Sequence, residues 1–73
     1  MLKEIYSREH RIIVKRLKEA RFESGVNQTE AAKQLGKTQS FISKIESGQI
    51  RIDILQLKEF AKIYQKPIDY FIK

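Results

Sequence analysis

Residues 28–48 read QTEAAKQLGKTQSFISKIESG, and this stretch decides the fold of the chain. It predicts two short helices, at about 28–35 and 39–47, joined by a tight turn at Gly36. Asn27 and Thr38 stand where the helices begin, and their side-chain oxygens can accept hydrogen bonds from the free N–H groups of the first turn. Gly36 follows the first helix, at a position where glycine adopts a left-handed backbone at little cost. Ser47 and Gly48 are expected to end the second helix.

The two helices differ in what they present to their surroundings. In the first helix, Ala31, Ala32 and Leu35 form a narrow apolar face that suits close packing. In the second helix, Ile42 and Ile45 are three residues apart and are expected to point inward. The outward side is then left with four polar residues, Gln39, Ser40, Ser43 and Lys44. This arrangement is typical of a helix-turn-helix, in which the second helix enters the major groove of DNA.

At these residues the chain resembles the phage repressor and Cro-type helix-turn-helix proteins, also called the xenobiotic response element (XRE) family. The residues that carry the resemblance are Gln28, Ala32, Gly36, Ile42, Ile45 and Glu46. The stretch IESG around Glu46 and the closing PIDYFI also look like the family, so the resemblance covers about residues 12–72. It implies an all-α, compact, five-helix domain like that of lambda repressor, with the helix-turn-helix formed by helices 2 and 3.

The resemblance also implies which residues touch DNA. Family members make base contacts from the start of the third helix and from one turn later, which corresponds here to Gln39, Ser40, Ser43 and Lys44. The chemistry suits this role, because a glutamine amide can pair with adenine N6 and N7 and a lysine can reach guanine O6 and N7. Backbone phosphates are expected to be held by Gln28, Lys37, Thr38 and Arg51. The alternative is that these side chains form an ordinary solvated surface, with Thr38 acting only as a helix cap.

Two further features concern the scaffold of the third helix. In the family, an arginine late in helix 1 pairs with the glutamate that ends helix 3, which implies an ion pair here between Arg21 and Glu46. Phe41 interrupts the polar pattern of helix 3. It is expected either to pack at the edge of the core or to offer apolar contact to a thymine methyl group, and core packing is the favoured reading.

Composition narrows the class of protein. The chain has 73 residues, a net charge of +6 and no cysteine. We therefore expect one domain over residues 1–73, with residues 1–7 as a flexible arm, and neither disulfides nor cysteine zinc sites. Between residues 31 and 52 a single acid, Glu46, stands against four cations, Lys33, Lys37, Lys44 and Arg51. A surface with so few carboxylates suits double-stranded DNA. No signal peptide or membrane-length apolar run is evident, so a cytoplasmic, nucleoid-associated protein with no membrane partner is expected.

Helical patterns continue on both sides of the central stretch. Helix 1 is predicted at about Arg8–Ser24, with Ile13, Leu17, Ala20 and Ser24 on one stripe. A fourth helix is predicted to begin near Asp53, and a short last helix to start at Pro67. The C-terminal part is rich in aromatic residues, more than so small a core is expected to hide. A homodimer is therefore predicted to form through the last residues, Tyr64, Tyr70, Phe71 and Ile72.

Two other classes of function, an enzyme and a protein-binding adaptor, are less consistent with the residues than DNA binding. His10 is the single histidine and is expected at the surface, and no nucleophile with a base, metal-ligand set or phosphate loop is evident. We therefore predict no enzyme activity, no cofactor and no metal. The competing hypothesis is an antitoxin-like or adaptor protein whose main target is a partner protein. The end of the chain at Lys73, just past the last helical pattern, favours DNA as the main partner, with repression as the default mechanism.

Overall fold

The computed structural model describes residues 7–72, which form five α-helices and no strand. The helices are α1 (Arg8–Ser24), α2 (Gln28–Leu35), α3 (Gln39–Glu46), α4 (Ile54–Tyr64) and α5 (Ile68–Ile72). The predicted all-α, five-helix architecture is confirmed. α3 ends at Glu46, one residue earlier than expected, because Ser47 already caps it. Pro67 lies just outside the last helix, whose first residue is Ile68.

Side-chain caps explain where four of the helices begin. The Asn27 and Thr38 side chains accept hydrogen bonds from the backbone N–H groups of Glu30 and Phe41, as their positions predicted. Asp53 does the same for α4, with its Oδ1 2.8 Å from the Gln56 nitrogen. Each cap satisfies a donor that the helix itself cannot pair.

Ser7 also belongs to the folded part of the chain, which corrects the predicted arm of residues 1–7. Its Oγ accepts a hydrogen bond from the His10 nitrogen at 3.1 Å, so Ser7 is the N-terminal cap of α1. The rest of the predicted arm, residues 1–6, lies outside the described residues.

The core lies where all five helices meet. α2 packs on α3 and α4, and α1 packs on α3, α4 and α5. Of the stripe expected on α1, Leu17 and Ala20 are buried and Ile13 is half-buried, whereas Ser24 is exposed at the helix end. The buried apolar residues of the core are Leu17, Ala20, Ala31, Ala32, Ile42, Ile45, Leu57, Phe60, Ala61, Tyr64 and Phe71.

The C-terminal aromatic residues are mostly inside this core, which corrects the predicted dimer surface. Tyr64 is 3% exposed and Phe71 is fully buried, so neither is available to a partner. The reason is that α5 packs against α1 and α4 and places Phe71 between them. Tyr70 is half-buried with its ring edge-on to that of Phe71, and Ile72 remains 52% exposed.

His10 is buried rather than exposed, which corrects a second prediction. It is 7% exposed, and it follows the same side of α1 as Leu17 and Arg21, seven and eleven residues later. Within residues 7–72, no helix combines the length and the apolar character that crossing a bilayer requires.

Candidate nucleic-acid interface

The pair α2–α3 is built by local interactions at the turn between the helices. Gly36 has φ 69°, and the Lys37 nitrogen donates to the Ala32 carbonyl at 2.8 Å, which closes the end of α2. A left-handed residue at this position is favourable for glycine, since it carries no Cβ. Thr38 follows immediately and starts α3. The chain therefore reverses within two residues and brings the two helices into contact.

The orientation of α3 follows from its two isoleucines. Ile42 and Ile45 are almost completely buried against α1 and α2, so the opposite side of α3 faces outward. Of the four predicted base-contacting residues on that side, Gln39, Ser40 and Lys44 are exposed and Ser43 is half-buried. Phe41 packs half-buried against the core, with the Lys37 Nζ 5.5 Å from its ring centre.

A buried ion pair ties the end of α3 to α1. The Arg21 Nε lies 2.7 Å from Glu46 Oε2, and its Nη2 lies 3.0 Å from Glu46 Oε1, so the contact is bidentate. The third nitrogen, Nη1, donates to the Val26 carbonyl at 3.1 Å. The hydrogen bonds to Glu46 raise the pKa of Arg21, while burial opposes the rise. The carboxylate of Glu46 is thereby paired with a guanidinium in the interior and does not lie on the outward face of α3.

The network continues from Glu46 to the outward face through Gln28. The Gln28 Nε2 donates to Glu46 Oε1 at 3.0 Å, and the Gln28 Oε1 accepts from Gln39 Nε2 at 2.6 Å. Arg21, Glu46, Gln28 and Gln39 thus form a continuous hydrogen-bonded chain from α1 to the first residue of α3. The sequence predicts only a phosphate contact for Gln28 and gives no direct sign of this bridge. The signal available was that both glutamines occupy the first position of their helices.

The other predicted phosphate contacts lie in the segments before and after α3. Lys37 and Thr38 lie in the turn before α3 and are exposed. The Thr38 hydroxyl is already used as an acceptor for the Phe41 nitrogen, at 3.1 Å, and its own O–H remains a donor. Arg51 lies in the exposed loop between α3 and α4. Exposed cations therefore lie in the segments that precede and follow α3 in the chain.

The charged side chains near α3 differ in exposure. The four cations between residues 31 and 52 are all exposed, whereas Glu46 is buried. Residues 7–72 contain no cluster of histidine and acidic side chains arranged to hold a metal ion. A polar helix face with exposed cations in the adjoining segments suits contact with phosphates and base edges.

Comparison with known proteins agrees with this geometry. The family model for the helix-turn-helix matches residues 17–71, which include α2, α3, α4, most of α5 and the second half of α1. Neither a search of curated proteins nor one of solved structures gave a significant match.

Proposed function

The chain belongs to the XRE-type helix-turn-helix family of DNA-binding transcription regulators, and from this premise we propose that it is a repressor. It binds a palindromic operator as a homodimer, with α3 of each copy in the major groove. The family is one of regulatory DNA-binding domains rather than of enzymes. In this proposal residues 1–73 act as one DNA-binding domain, in the cytoplasm at the nucleoid where operator DNA is found.

The observation that carries the proposal is the position of Gln39 on α3. Its side chain is exposed, yet one of its N–H groups is held by Gln28. The other N–H group and the carbonyl oxygen remain for adenine N7 and N6. Ser40, Ser43 and Lys44 add hydrogen-bonding groups for neighbouring base edges.

Phosphate contacts position the helix in the groove. We assign them to Gln28, Lys37, Thr38 and Arg51, which surround the outward face of α3. Gln28 has two roles in this proposal. Its side-chain oxygen holds the amide of Gln39, and its position at the N-terminus of α2 suits a phosphate contact. Free N–H groups at that helix end favour an anion there.

Dimerisation follows from the geometry of an operator. A two-fold dimer places two α3 helices about 34 Å apart, one turn of DNA, and so reads a palindrome. With Tyr64 and Phe71 buried, we assign the contact to the residues of the C-terminal region that remain accessible, Tyr70 and Ile72. A dimer bound across a promoter blocks polymerase without any further surface.

The test is selection of bound sequences from a random double-stranded DNA library at two salt concentrations. We expect enrichment of a palindrome with half-sites about 10 base pairs apart. Binding of the selected site is expected at about 10⁻⁸–10⁻¹¹ M, and it weakens as salt rises. Salt-sensitive binding without an enriched sequence would refute an operator-binding repressor and favour the antitoxin-like or adaptor alternative.

Sedimentation of the protein on the selected DNA tests the dimer separately. Ile72→Lys is expected to weaken pairing of two copies on the palindrome, while binding to a single half-site persists. Leu55→Lys is the matched control, since Leu55 is 68% exposed on α4 and lies outside the assigned contact. Loss of pairing only in the Leu55 variant would indicate that the dimer contact lies at the start of α4 instead.

A further inference from the structure

A groove opens between α1 and the end of α3, lined by none of the residues assigned to DNA contacts. Its volume is about 520 Å³, within the roughly 300–1,000 Å³ usual for small-molecule pockets. Val14 and Phe22 give it an apolar wall, and residues 46–48 form the opposite side. Phe22 is 66% exposed, so a large apolar ring faces solvent at the edge of this groove.

Cations from α1 stand along the same groove. Arg11, Lys15 and Lys18 line it at positions i, i+4 and i+7, which share one side of a helix. Within the described part of the chain, Lys15 and Lys18 form no ion pair. Two positive charges beside an apolar wall are therefore available to a ligand.

The acids of the groove do not cancel these charges, because each is held by an arginine outside the lining. Glu19 lies 3.2 Å from Arg16, and Glu46 lies 2.7 Å from Arg21. The groove thus combines a positive side with an apolar side.

A buried histidine whose ring nitrogen makes no hydrogen bond among residues 7–72 also lines the groove. His10 is among the lining residues and is 7% exposed. Its Nε2 is buried and has no hydrogen-bond partner among residues 7–72. This nitrogen is closed to solvent, so the groups that the groove offers to a ligand are the apolar wall and the two lysines.

We propose that this groove binds a small amphipathic anion. Its apolar body packs against Val14 and Phe22, and its carboxylate or sulfonate group lies between Lys15 and Lys18. The apolar wall distinguishes this ligand from a DNA backbone, which offers only phosphate and sugar. The limited volume distinguishes it from a docked protein element.

The position of the groove gives such a ligand a route to the DNA-binding face, and this consequence rests on the proposed function. Glu46 lines the groove and also accepts from Gln28, which in turn holds Gln39. A ligand that shifts Glu46 changes the support of Gln39. By thermodynamic linkage, ligand and operator then alter each other's affinity by the same factor.

The experiment is a fluorescence titration of the full chain with 8-anilinonaphthalene-1-sulfonate, an aromatic sulfonate whose emission rises in apolar surroundings. We expect saturable binding of one probe per chain. The double variant Lys15→Gln/Lys18→Gln is expected to weaken it about tenfold or more, because two charge-assisted contacts are lost. The control Lys33→Gln/Lys58→Gln removes the same charge from exposed positions outside the groove and is expected to leave binding unchanged.

Two further measurements test the apolar wall and the possibility that a second copy of the chain occupies the groove. Phe22→Ala is expected to weaken the probe while Lys15 and Lys18 remain, because the apolar wall is lost. Equal weakening in both double variants, or binding unaffected by the Lys15/Lys18 change, would overturn the proposal. Emission that depends on protein concentration at a fixed ratio of probe to protein would overturn it too, since a second copy would then occupy the groove.

Probe binding does not require DNA, so this result stands apart from the library selection. Addition of the selected operator is expected to change the probe affinity by the factor by which the probe changes operator affinity. An unchanged probe affinity on the operator overturns the coupling between the two sites.

Discussion

At the scale of single residues, the amide of Gln39 is the most informative group on the surface of the protein. An exposed glutamine normally samples many rotamers, and ordering it on DNA costs conformational entropy. Here the 2.6 Å hydrogen bond to Gln28 already restrains the amide and fixes which atoms face outward. In the proposed contact with a base, this restraint would preorganise the side chain and lower the entropic cost of binding.

Gln39→Ala is predicted to weaken operator binding by roughly 1–3 kcal/mol and to relax the preference at one base position. The reason is the loss of a bidentate contact to one base. Binding to variant operators, each changed at a single position, measures both effects. The matched control is Gln34→Ala, an exposed glutamine of α2 outside the assigned contacts, for which no change is expected. A Gln39 variant with unaltered base preference would contradict the assigned role.

A second prediction concerns Gln28, whose side-chain oxygen holds the amide of Gln39. Gln28→Ala is expected to weaken binding to all sequences through its phosphate contact, and also to relax the position read by Gln39, whose support is lost. A Gln28 variant that weakens every sequence equally, with no change of preference, would show that Gln39 does not depend on it.

Tyr64 is the residue whose titration affects stability most directly. Burial, aided by the charge of Glu46, raises the pKa of Tyr64 from 10.0 to about 12, although Arg21 opposes the rise. Its hydroxyl has no hydrogen-bond partner among residues 7–72. The folded state therefore favours the neutral phenol, and its contribution is complete below pH 10 and is lost as the pH rises towards 12.

We predict that the free energy of unfolding falls by about 2 kcal/mol between pH 7 and pH 11.5 because of Tyr64 alone. Urea unfolding at pH 7, 10 and 11.5 measures the slope, and Tyr64→Phe is expected to remove this part of it. At pH 7 the same variant is expected to be at least as stable as the original protein, since it loses an unpaired buried hydroxyl. Tyr70→Phe serves as the control, and an equal change of slope in both variants would contradict the assignment to Tyr64.

At the scale of helices, the ends could be predicted from the sequence because they depend on neighbouring residues. Asn27, Thr38 and Gly36 act within one turn of chain, and the structure places each in the predicted role. The end of α4 is an instructive case, since Gln65 has φ 57° and takes the left-handed position usual for glycine.

The side of a helix that is buried was harder to predict than its ends. Tyr64, Phe71 and His10 were placed at the surface, but all three are inside. The burial of Phe71, for example, depends on the packing of α5 against α1, two helices that are far apart in the chain. The bridge from Glu46 through Gln28 to Gln39 likewise joins the two ends of α3 through a residue of α2. Local patterns carry no information about such distances.

The ion pair between Arg21 and Glu46, which joins α1 to α3, gives a prediction about stability. Glu46→Ala is expected to lower the free energy of unfolding by about 3–5 kcal/mol, because it leaves the Arg21 guanidinium buried without its counter-charge. Thermal unfolding followed by circular dichroism measures the loss. The control is Glu59→Ala, an exposed glutamate of α4, which is expected to change stability by less than about 0.5 kcal/mol.

A double variant separates stability from recognition. Arg21→Met with Glu46→Met removes both charges and is expected to recover most of the lost stability. It also removes the acceptor for Gln28, so base preference at the position of Gln39 is expected to remain relaxed. A Glu46→Ala protein that melts like the original would show that the ion pair does not stabilise the fold.

At the scale of the whole molecule, the distribution of charge governs association with DNA more than its total. The chain carries a net charge of +6, and any exposed cation contributes to that total. Only a cation that contacts a phosphate releases a counterion and so sets the salt dependence of binding. Arg51, in the loop that follows α3, is assigned such a contact, whereas Lys58 on α4 is not.

Arg51→Ala and Lys58→Ala both reduce the net charge by one, so they separate contact from total charge. In a plot of log affinity against log salt, Arg51→Ala is expected to flatten the slope by about 0.9 per site. It should weaken all sequences alike, because a phosphate contact carries no base information. Lys58→Ala is expected to leave the slope unchanged and to affect only the association rate at low salt. If both variants flattened the slope equally, the loop after α3 would not be a phosphate contact, and the orientation of α3 in the groove would have to be revised.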